Sequence, residues 1–259
     1  MRFDFVTIFP GMFEPLLAEG IIGRGIKQGL LEAHAWDLRD FASDRHRSTD
    51  DEAYGGGPGM VMLAEPVLRC IDRIRVEGGG MRDDRADIPH PSSLLPHIVM
   101  TTPQGRRFDQ TVAKELREKN WLVFLCGRYE GFDHRVHDLL QPDEISIGDF
   151  VVSGGELPAM VIADAVGRMV EGVVGNTGSV EEDSFYRGIL DYPHYTRPEE
   201  VRGLRVPEIL LSGHHENIRK WRREQALRAT LAKRPDLLHG VELDAEARKI
   251  LERLRNEER

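Results

Sequence analysis

Trp121-Leu-Val-Phe-Leu-Cys126, followed at once by Gly127-Arg-Tyr-Glu-Gly131, is the stretch that decides the fold. The apolar run is short and rich in aromatic and branched side chains, so it reads as a buried strand. In a parallel sheet, ligands bind outside the C-terminal ends of the strands, which is where this glycine-bearing loop would lie. Working upstream, His97–Thr102 reads as another strand that runs into Pro103-Gln-Gly105, and Asp109–Glu118 as a helix capped by Asp109. Downstream, Ile145–Val152 is a short apolar stretch interrupted by Gly148. The segment Ser146-Ile-Gly-Asp-Phe-Val-Val-Ser-Gly-Gly-Glu-Leu-Pro158 then opens an apolar helix, Glu156–Val170.

The same alternation holds toward the N-terminus. Phe3–Phe9 reads as a strand ending at Pro10-Gly11, followed by a helix broken by Gly20, Gly23, Gly25 and Gly29. His34–Leu38 is a second strand, Arg39–Gly59 a long polar loop and Leu63–Ile74 a helix. From Glu77 to Pro96 the composition shifts to Gly, Asp, Arg, Pro and Ser, which predicts a surface excursion. Strands alternating with helices predict an α/β fold with a mainly parallel sheet. Gly175–Ser184 is polar and glycine-bearing and reads as a linker. After Pro193 the pattern is helical to the end. There, Ala247, Ile250, Leu251 and Leu254 form an apolar stripe behind an Asp244 cap. The expected domains are 1–174, a linker 175–187, and a small helical domain 188–259.

Composition narrows the functional classes. With 259 residues, 40% of them hydrophobic, the chain can bury one large core or two small ones. No apolar run approaches the ~20 residues that span a bilayer, and Met1–Pro10 lacks the features of a signal peptide. Cys70 and Cys126 are too few for a disulfide framework or a zinc site, so a cytoplasmic protein with reduced thiols is expected. A net charge of −9 argues against non-specific coating of nucleic acid. A local basic face stands out nonetheless: Arg219, Lys220, Arg222, Arg223, Arg228, Lys233 and Arg234, set against only Glu216 and Glu224. It is either a solvated helix face or a contact for a polyanion. Trp221, in its midst, either stacks on a base or anchors the helix.

Tyr54-Gly-Gly-Gly-Pro-Gly59 lacks the Lys-Ser/Thr of a phosphate-binding P-loop, so on its own it reads as a tight turn needing positive φ. Arg45 and Arg47 either hold phosphates or pair with Asp44, Asp50 and Asp51. There is no Gly-x-Gly-x-x-Gly, which disfavours a dinucleotide site. Three glycine-containing loops at three strand ends point instead to a small-molecule site of nucleoside-like character.

These segments resemble the bacterial tRNA (guanine-N1)-methyltransferases, members of the SPOUT class. The resemblance rests on Ile8-Phe-Pro10, Asp44-Arg-His-Arg47, Asp50-Asp51, Tyr54–Met60, Pro103-Gln-Gly105, Cys126–Gly131, Ser146-Ile-Gly-Asp149, Ser153-Gly-Gly-Glu-Leu-Pro158, Glu182-Asp-Ser184, Pro193-His-Tyr-Thr-Arg-Pro198, Val206-Pro207 and Leu210-Leu-Ser-Gly213, in order over nearly the whole chain. It implies a deep trefoil knot toward the C-terminal end of the first domain, a topology that sequence reasoning would not propose. It also implies a small all-α C-terminal domain that holds the anticodon arm of tRNA, and a homodimer. S-adenosylmethionine would be the methyl donor, with Mg²⁺ as a possible further requirement and no residue assigned to a metal site. The implied cofactor residues are Thr101, Thr102, Pro103 and Gly105; Gly127, Arg128 and Tyr129; and Ser146, Ile147, Gly148, Asp149, Phe150, Val151, Val152, Gly154, Gly155 and Pro158.

The implied reaction sets its own requirements. Guanine N1 carries a proton, so a base must remove it, and the negative charge then left on O6 needs a cation. By position Asp183 matches the base and Arg168 the cation, with Glu130 a second group at the guanine. Taken without the resemblance, Asp183 is one solvated acid of three and Arg168 a snorkelling or Glu171-paired cation. A base carried on a linker would order as tRNA binds. Rival readings are a ribose 2′-O methyltransferase of the same class, a non-catalytic RNA-binding protein, and a nucleotide hydrolase, the last disfavoured by the missing lysine.

Overall fold

The computed structural model describes residues 1–79, 95–175 and 182–257, so residues 80–94, most of the expected excursion, and 176–181 of the expected linker lie outside it. The chain divides into two compact units, Met1–Gly175 and Asn176–Arg259.

The first unit is built on five parallel strands: β1 (Arg2–Thr7), β2 (Glu32–Asp37), β5 (His97–Arg107), β6 (Trp121–Cys126) and β7 (Asp143–Ser146), in the order β2-β1-β6-β5-β7. A small antiparallel pair, β3 (Asp50–Glu52) and β4 (Met60–Met62), stands apart from it. Period-2 alternation sorts the side chains of the large sheet onto two buried faces. Phe3, Phe5, Val99, Leu122 and Phe124 enter one core with helices α2 (Gly20–Lys27), α4 (Gln110–Arg117) and α6 (Glu156–Gly167). Val6, Ile98, Met100, Val123 and Leu125 enter the other with α3 (Ala64–Gly79) and α5 (Arg135–Leu140). The expected buried strand is therefore the central one, and all six of its residues are buried.

One charge is buried in the sheet itself. Asp4, in β1, is fully buried and accepts from Trp36 Nε1 at 2.7 Å, Trp121 Nε1 at 2.7 Å, and Arg2 Nε and Nη2 at 2.7 and 3.1 Å. Four donors offset the cost of burying this carboxylate and tie β1 to β2 and β6.

Several expected boundaries shift. Strand β5 runs to Arg107, because residues 102–105 leave the ladder as a bulge between Thr101 and Arg106, both of which pair with Ile145. The helix after β1 is two helices, Glu14–Ala18 and Gly20–Lys27, separated at Glu19, whose backbone is extended. The polar loop 39–59 contains β3 as well as a turn in which Gly55, Gly56, Gly57 and Gly59 all have positive φ, as the tight-turn reading requires. Arg47 pairs with Asp40 rather than with Asp44, Asp50 or Asp51. The Asp109 cap holds, its Oδ1 accepting from Thr111 N at 2.8 Å and Val112 N at 3.0 Å.

In the second unit α8 (His215–Lys233) packs on α9 (Ala245–Glu257) through Leu227, Ala247, Leu251 and Leu254, with Asp244 capping α9 by accepting from Ala247 N at 2.9 Å. The unit is not purely helical. Glu200–Val201 and Leu204–Arg205 form a hairpin, β8–β9, around Arg202 and Gly203, both in the left-handed region. Residues 183–191 close on themselves: Tyr186 N donates to Asp183 O at 3.2 Å, Phe185 N to Ile189 O at 2.7 Å and Asp191 N to Ser184 Oγ at 2.9 Å.

Replacing Asp4 by Ala would leave two indole N–H groups and a guanidinium without their acceptor. Urea unfolding of Asp4→Ala is expected to show a loss of about 3–5 kcal/mol. A loss under ~1 kcal/mol would mean that the buried carboxylate does not hold the strands together.

Candidate active site

Three backbone segments meet beside the sheet: the bulge within β5, the loop after β6 and the segment after β7. Gly155 N donates to Gly127 O at 2.8 Å, and Thr101 Oγ1 lies 3.1 Å from Gly155 O and 3.2 Å from Leu125 O. The approach is possible only without a side chain. A Cβ on Gly155 would stand 2.2 Å from Thr101 Oγ1 and 2.8 Å from Cys126 Cα. One on Gly154 would stand 2.2 Å from Arg128 Nε. In the segment after β7, Ser146 Oγ donates to Gly148 O at 3.0 Å, and Gly148 takes a φ of 151° that brings Phe150 back over the opening.

The result is a cavity of about 460 Å³, within the range of small-molecule sites. Of the expected cofactor residues it takes in Thr101, Thr102, Pro103, Gly127, Arg128, Tyr129, Ser146, Ile147, Gly148, Phe150, Val151, Val152, Gly154, Gly155 and Pro158, and Glu130 stands at the same rim. Two expected residues do not line it. Gly105 is turned onto the next strand, where a Cβ would meet Ile145 N at 2.3 Å, so its glycine serves packing against β7. Asp149 is an exposed turn residue whose neighbours, rather than itself, face the cavity. The sequence reading also missed lining residues: Phe132, His134, His137 and Glu144. Of these, His137 Nδ1 lies 2.8 Å from Glu144 Oε1.

The glycine turn 54–59 is carried to this rim by β4. Met62 N donates to Gly131 O at 2.9 Å and Glu130 N to Met60 O at 3.0 Å. A Cβ on Gly59 would stand 2.5 Å from Glu130 Oε1. The turn therefore braces the Glu130 loop.

Burial pushes the Cys126 thiol, directly before the glycine loop, well above its ordinary value, and does the same to Cys70. Both thiols are fully covered, as structural cysteines are. Among the described residues no group of three or more His, Cys, Asp or Glu side chains is arranged to hold a metal ion.

Of the other two expected catalytic groups, Arg168 is not among the residues that line this cavity, and Asp183 belongs to the second unit. Arg168 is half-buried at the C-terminal end of α6. Asp183 borders a concavity of the second unit, with Arg187, Tyr192, Arg219, Arg222 and Arg223 also on its wall. The basic face there is largely matched by acids. Arg219 and Lys220 meet Glu216, Arg223 meets Asp244 and Glu246, Arg228 meets Glu224 and Glu257, and Arg234 meets Asp236. Arg222 instead lies over the Tyr192 ring, 4.9 Å from its centroid. Trp221 neither anchors a core nor stands alone. It is half-buried, 6.4 Å from the Tyr195 ring, and borders a cavity of about 560 Å³ with Tyr192, Tyr195 and Arg222.

Comparison with known proteins identifies relatives of the chain. The family model described as tRNA (Guanine-1)-methyltransferase TrmD matches residues 1–240. The chain is 49% identical to a tRNA (guanine-N(1)-)-methyltransferase of Desulforamulus reducens, covering 99% of this chain and 96% of the relative. It is 49% identical to the one of Geobacter sulfurreducens, with 99% of each chain covered. It is 50% identical to that of Geotalea uraniireducens, covering 98% and 97%.

Because the close approach at Gly155 is to backbone as well as to a side chain, Gly155→Ala is expected to weaken binding of the family's methyl donor more than ~10-fold, measured by calorimetry. Gly11→Ala, where the nearest atom to a Cβ is Glu14 Oε1 at 3.8 Å, is the control and should bind normally. Equal affinities for the two variants would show that the crowding at Gly155 does not shape the cavity.

Proposed function

The chain belongs to the tRNA (guanine-1)-methyltransferase family, and from that premise we propose that it transfers a methyl group from S-adenosylmethionine to N1 of the guanine 3′ of the anticodon in tRNA. The observation that carries this reading is the convergence of three glycine-bearing strand-end loops on one cavity, in a chain that matches the family over nearly its full length. The cavity fits the donor. Gly127, Gly154 and Gly155 line the cavity as bare backbone, packed against Phe132, Arg128 and Thr101, while Phe150, Val151, Val152 and Pro158 supply apolar walls. S-adenosylmethionine, when bound, supplies an electrophilic methyl on a sulfonium.

The chain's residues do the rest. The Asp183 carboxylate takes the N1 proton, and the Arg168 guanidinium offsets the negative charge that this leaves on O6. Glu130, held at the cavity rim by β4, is a second carboxylate for the guanine. Among the described residues no group of three or more His, Cys, Asp or Glu side chains is gathered there, and no step is assigned to Mg²⁺.

The finer architecture belongs to the same proposal. It comprises a trefoil knot in the first domain, 1–174, a linker 175–187, and a tRNA-holding domain 188–259. Cytoplasmic location follows from a tRNA substrate, and no described helix is long and apolar enough to cross a membrane. Homodimer formation is supported by apolar side chains left open beside the cavity: Phe150, Val151, Leu157 and Val161 are roughly half to four-fifths exposed, the last two one helical turn apart on α6. In the second unit the aromatic cavity with Arg222 has the chemistry of a base-stacking contact, which supports tRNA as partner better than its paired cations do.

The test is methyl transfer from labelled S-adenosylmethionine to a tRNA with guanine after the anticodon, followed by nucleoside analysis. Label on guanine N1 is expected, falling about a hundred- to ten-thousand-fold in Asp183→Ala while cofactor affinity stays within about twofold. Label on a ribose 2′-oxygen would favour the related methyltransferase class, and an unimpaired Asp183→Ala would remove that residue as the base.

A further inference from the structure

Glu156 carries no expected role in the reaction, yet among the described residues it is the fully buried carboxylate bonded to a residue of the cavity wall, Arg128. It sits in the first turn of α6, its side chain fully covered. Oε1 accepts from Thr7 Oγ1 at 2.8 Å, and Oε2 from Arg128 Nε at 2.9 Å. Thr7 is the last residue of β1, and its hydroxyl in turn accepts from Phe9 N at 2.9 Å. Arg128 belongs to the loop after β6. Its Nη1 donates to Ser153 O at 3.2 Å, its Nη2 lies 3.3 Å from Met12 Sδ, and its guanidinium covers the Phe9 ring at 4.6 Å from the centroid. Arg128 also forms an isolated antiparallel bridge with Gly154.

This one guanidinium therefore fills the space between the 127–131 loop, the 153–155 segment and the 9–12 corner. Both of the first two line the cavity. A buried ion pair is a poor source of stability, since desolvation offsets most of the attraction. What a fixed charge pair does supply is position, because an arginine held at several points cannot change rotamer without leaving Glu156 uncompensated.

We infer that Glu156 is a positioning residue for cofactor binding: anchored on Thr7, it fixes Arg128 as a spacer that sets the separation of the two loops. The inference rests on reading the cavity as the S-adenosylmethionine site. Its effect is specific. It acts on the donor pocket alone, so loss of the charge should loosen S-adenosylmethionine while leaving tRNA affinity untouched.

The test uses the full chain and two binding measurements, calorimetric titration with S-adenosylmethionine and filter binding of tRNA, with thermal melting as the check on folding. Glu156→Gln keeps the shape and an acceptor for Thr7 but removes the charge. It is expected to raise the cofactor Kd about 10-fold or more with tRNA Kd unchanged. Arg128→Met should do the same, and adding Glu156→Gln to it should change the cofactor Kd by less than about twofold, because both act through one element. If Glu156→Gln does not fold, Thr7→Val decides. It removes one anchor of the carboxylate and should weaken the cofactor severalfold. A cofactor Kd unchanged in Glu156→Gln, or in Thr7→Val where that variant decides, overturns the inference, as do additive effects in the double variant. Failure of the wild type to bind S-adenosylmethionine would instead overturn the reading of the cavity.

Discussion

The first unit depends on one crowding constraint, the bare backbone of Gly155 lying against the end of β6 and the Thr101 hydroxyl. Gly155 N reaches Gly127 O at 2.8 Å with no room for even a methyl group. This contact starts α6 at the point where β6 ends, and it holds the β5 bulge and the loop after β6 against the segment after β7. Hydrogen bonding and close packing do this together. Gly155 N and the Thr101 hydroxyl bond across these segments, and the cavity is the space left over.

Around that contact the polar groups are arranged in two tiers. Asp4 pins the sheet from within through two indoles and a guanidinium, far along β1 from the cavity. At the other end of β1, Thr7 meets Glu156, and Glu156 meets Arg128. One strand thus carries a structural charge near its start and, at its end, the anchor for a charge beside the pocket. The two serve different purposes, since the first has four donors and no neighbour in the cavity, while the second has a partner that lines it.

Much of this was legible in the sequence, for physical reasons. The run 121–126 is buried on both faces and so carries its signal in every residue. The Asp109 and Asp244 caps are local interactions of two or three residues. The glycines at strand ends announce close approach wherever they occur. What escaped is mostly non-local or short. Helix α5 has six residues and one buried side chain, too little for a periodic pattern, and with it went His134 and His137. The hairpin at 200–205 is two residues a side. Glu156 could be quoted within a motif, but its partner Thr7 is 149 residues away. The basic run 219–234 misled by omission, because the acids that meet Arg223 and Arg228 come from α9 and its approach. Gly105 and Asp149 share loops with lining residues without facing the cavity, a matter of orientation that position in the sequence does not carry.

The central claim is that three strand-end loops together hold the methyl donor, and amide hydrogen exchange with and without S-adenosylmethionine tests it most directly. Slowed exchange confined to residues 101–104, 127–131 and 146–155 is the result the account predicts. Binding that leaves those three segments unprotected, or protects only one, would contradict it.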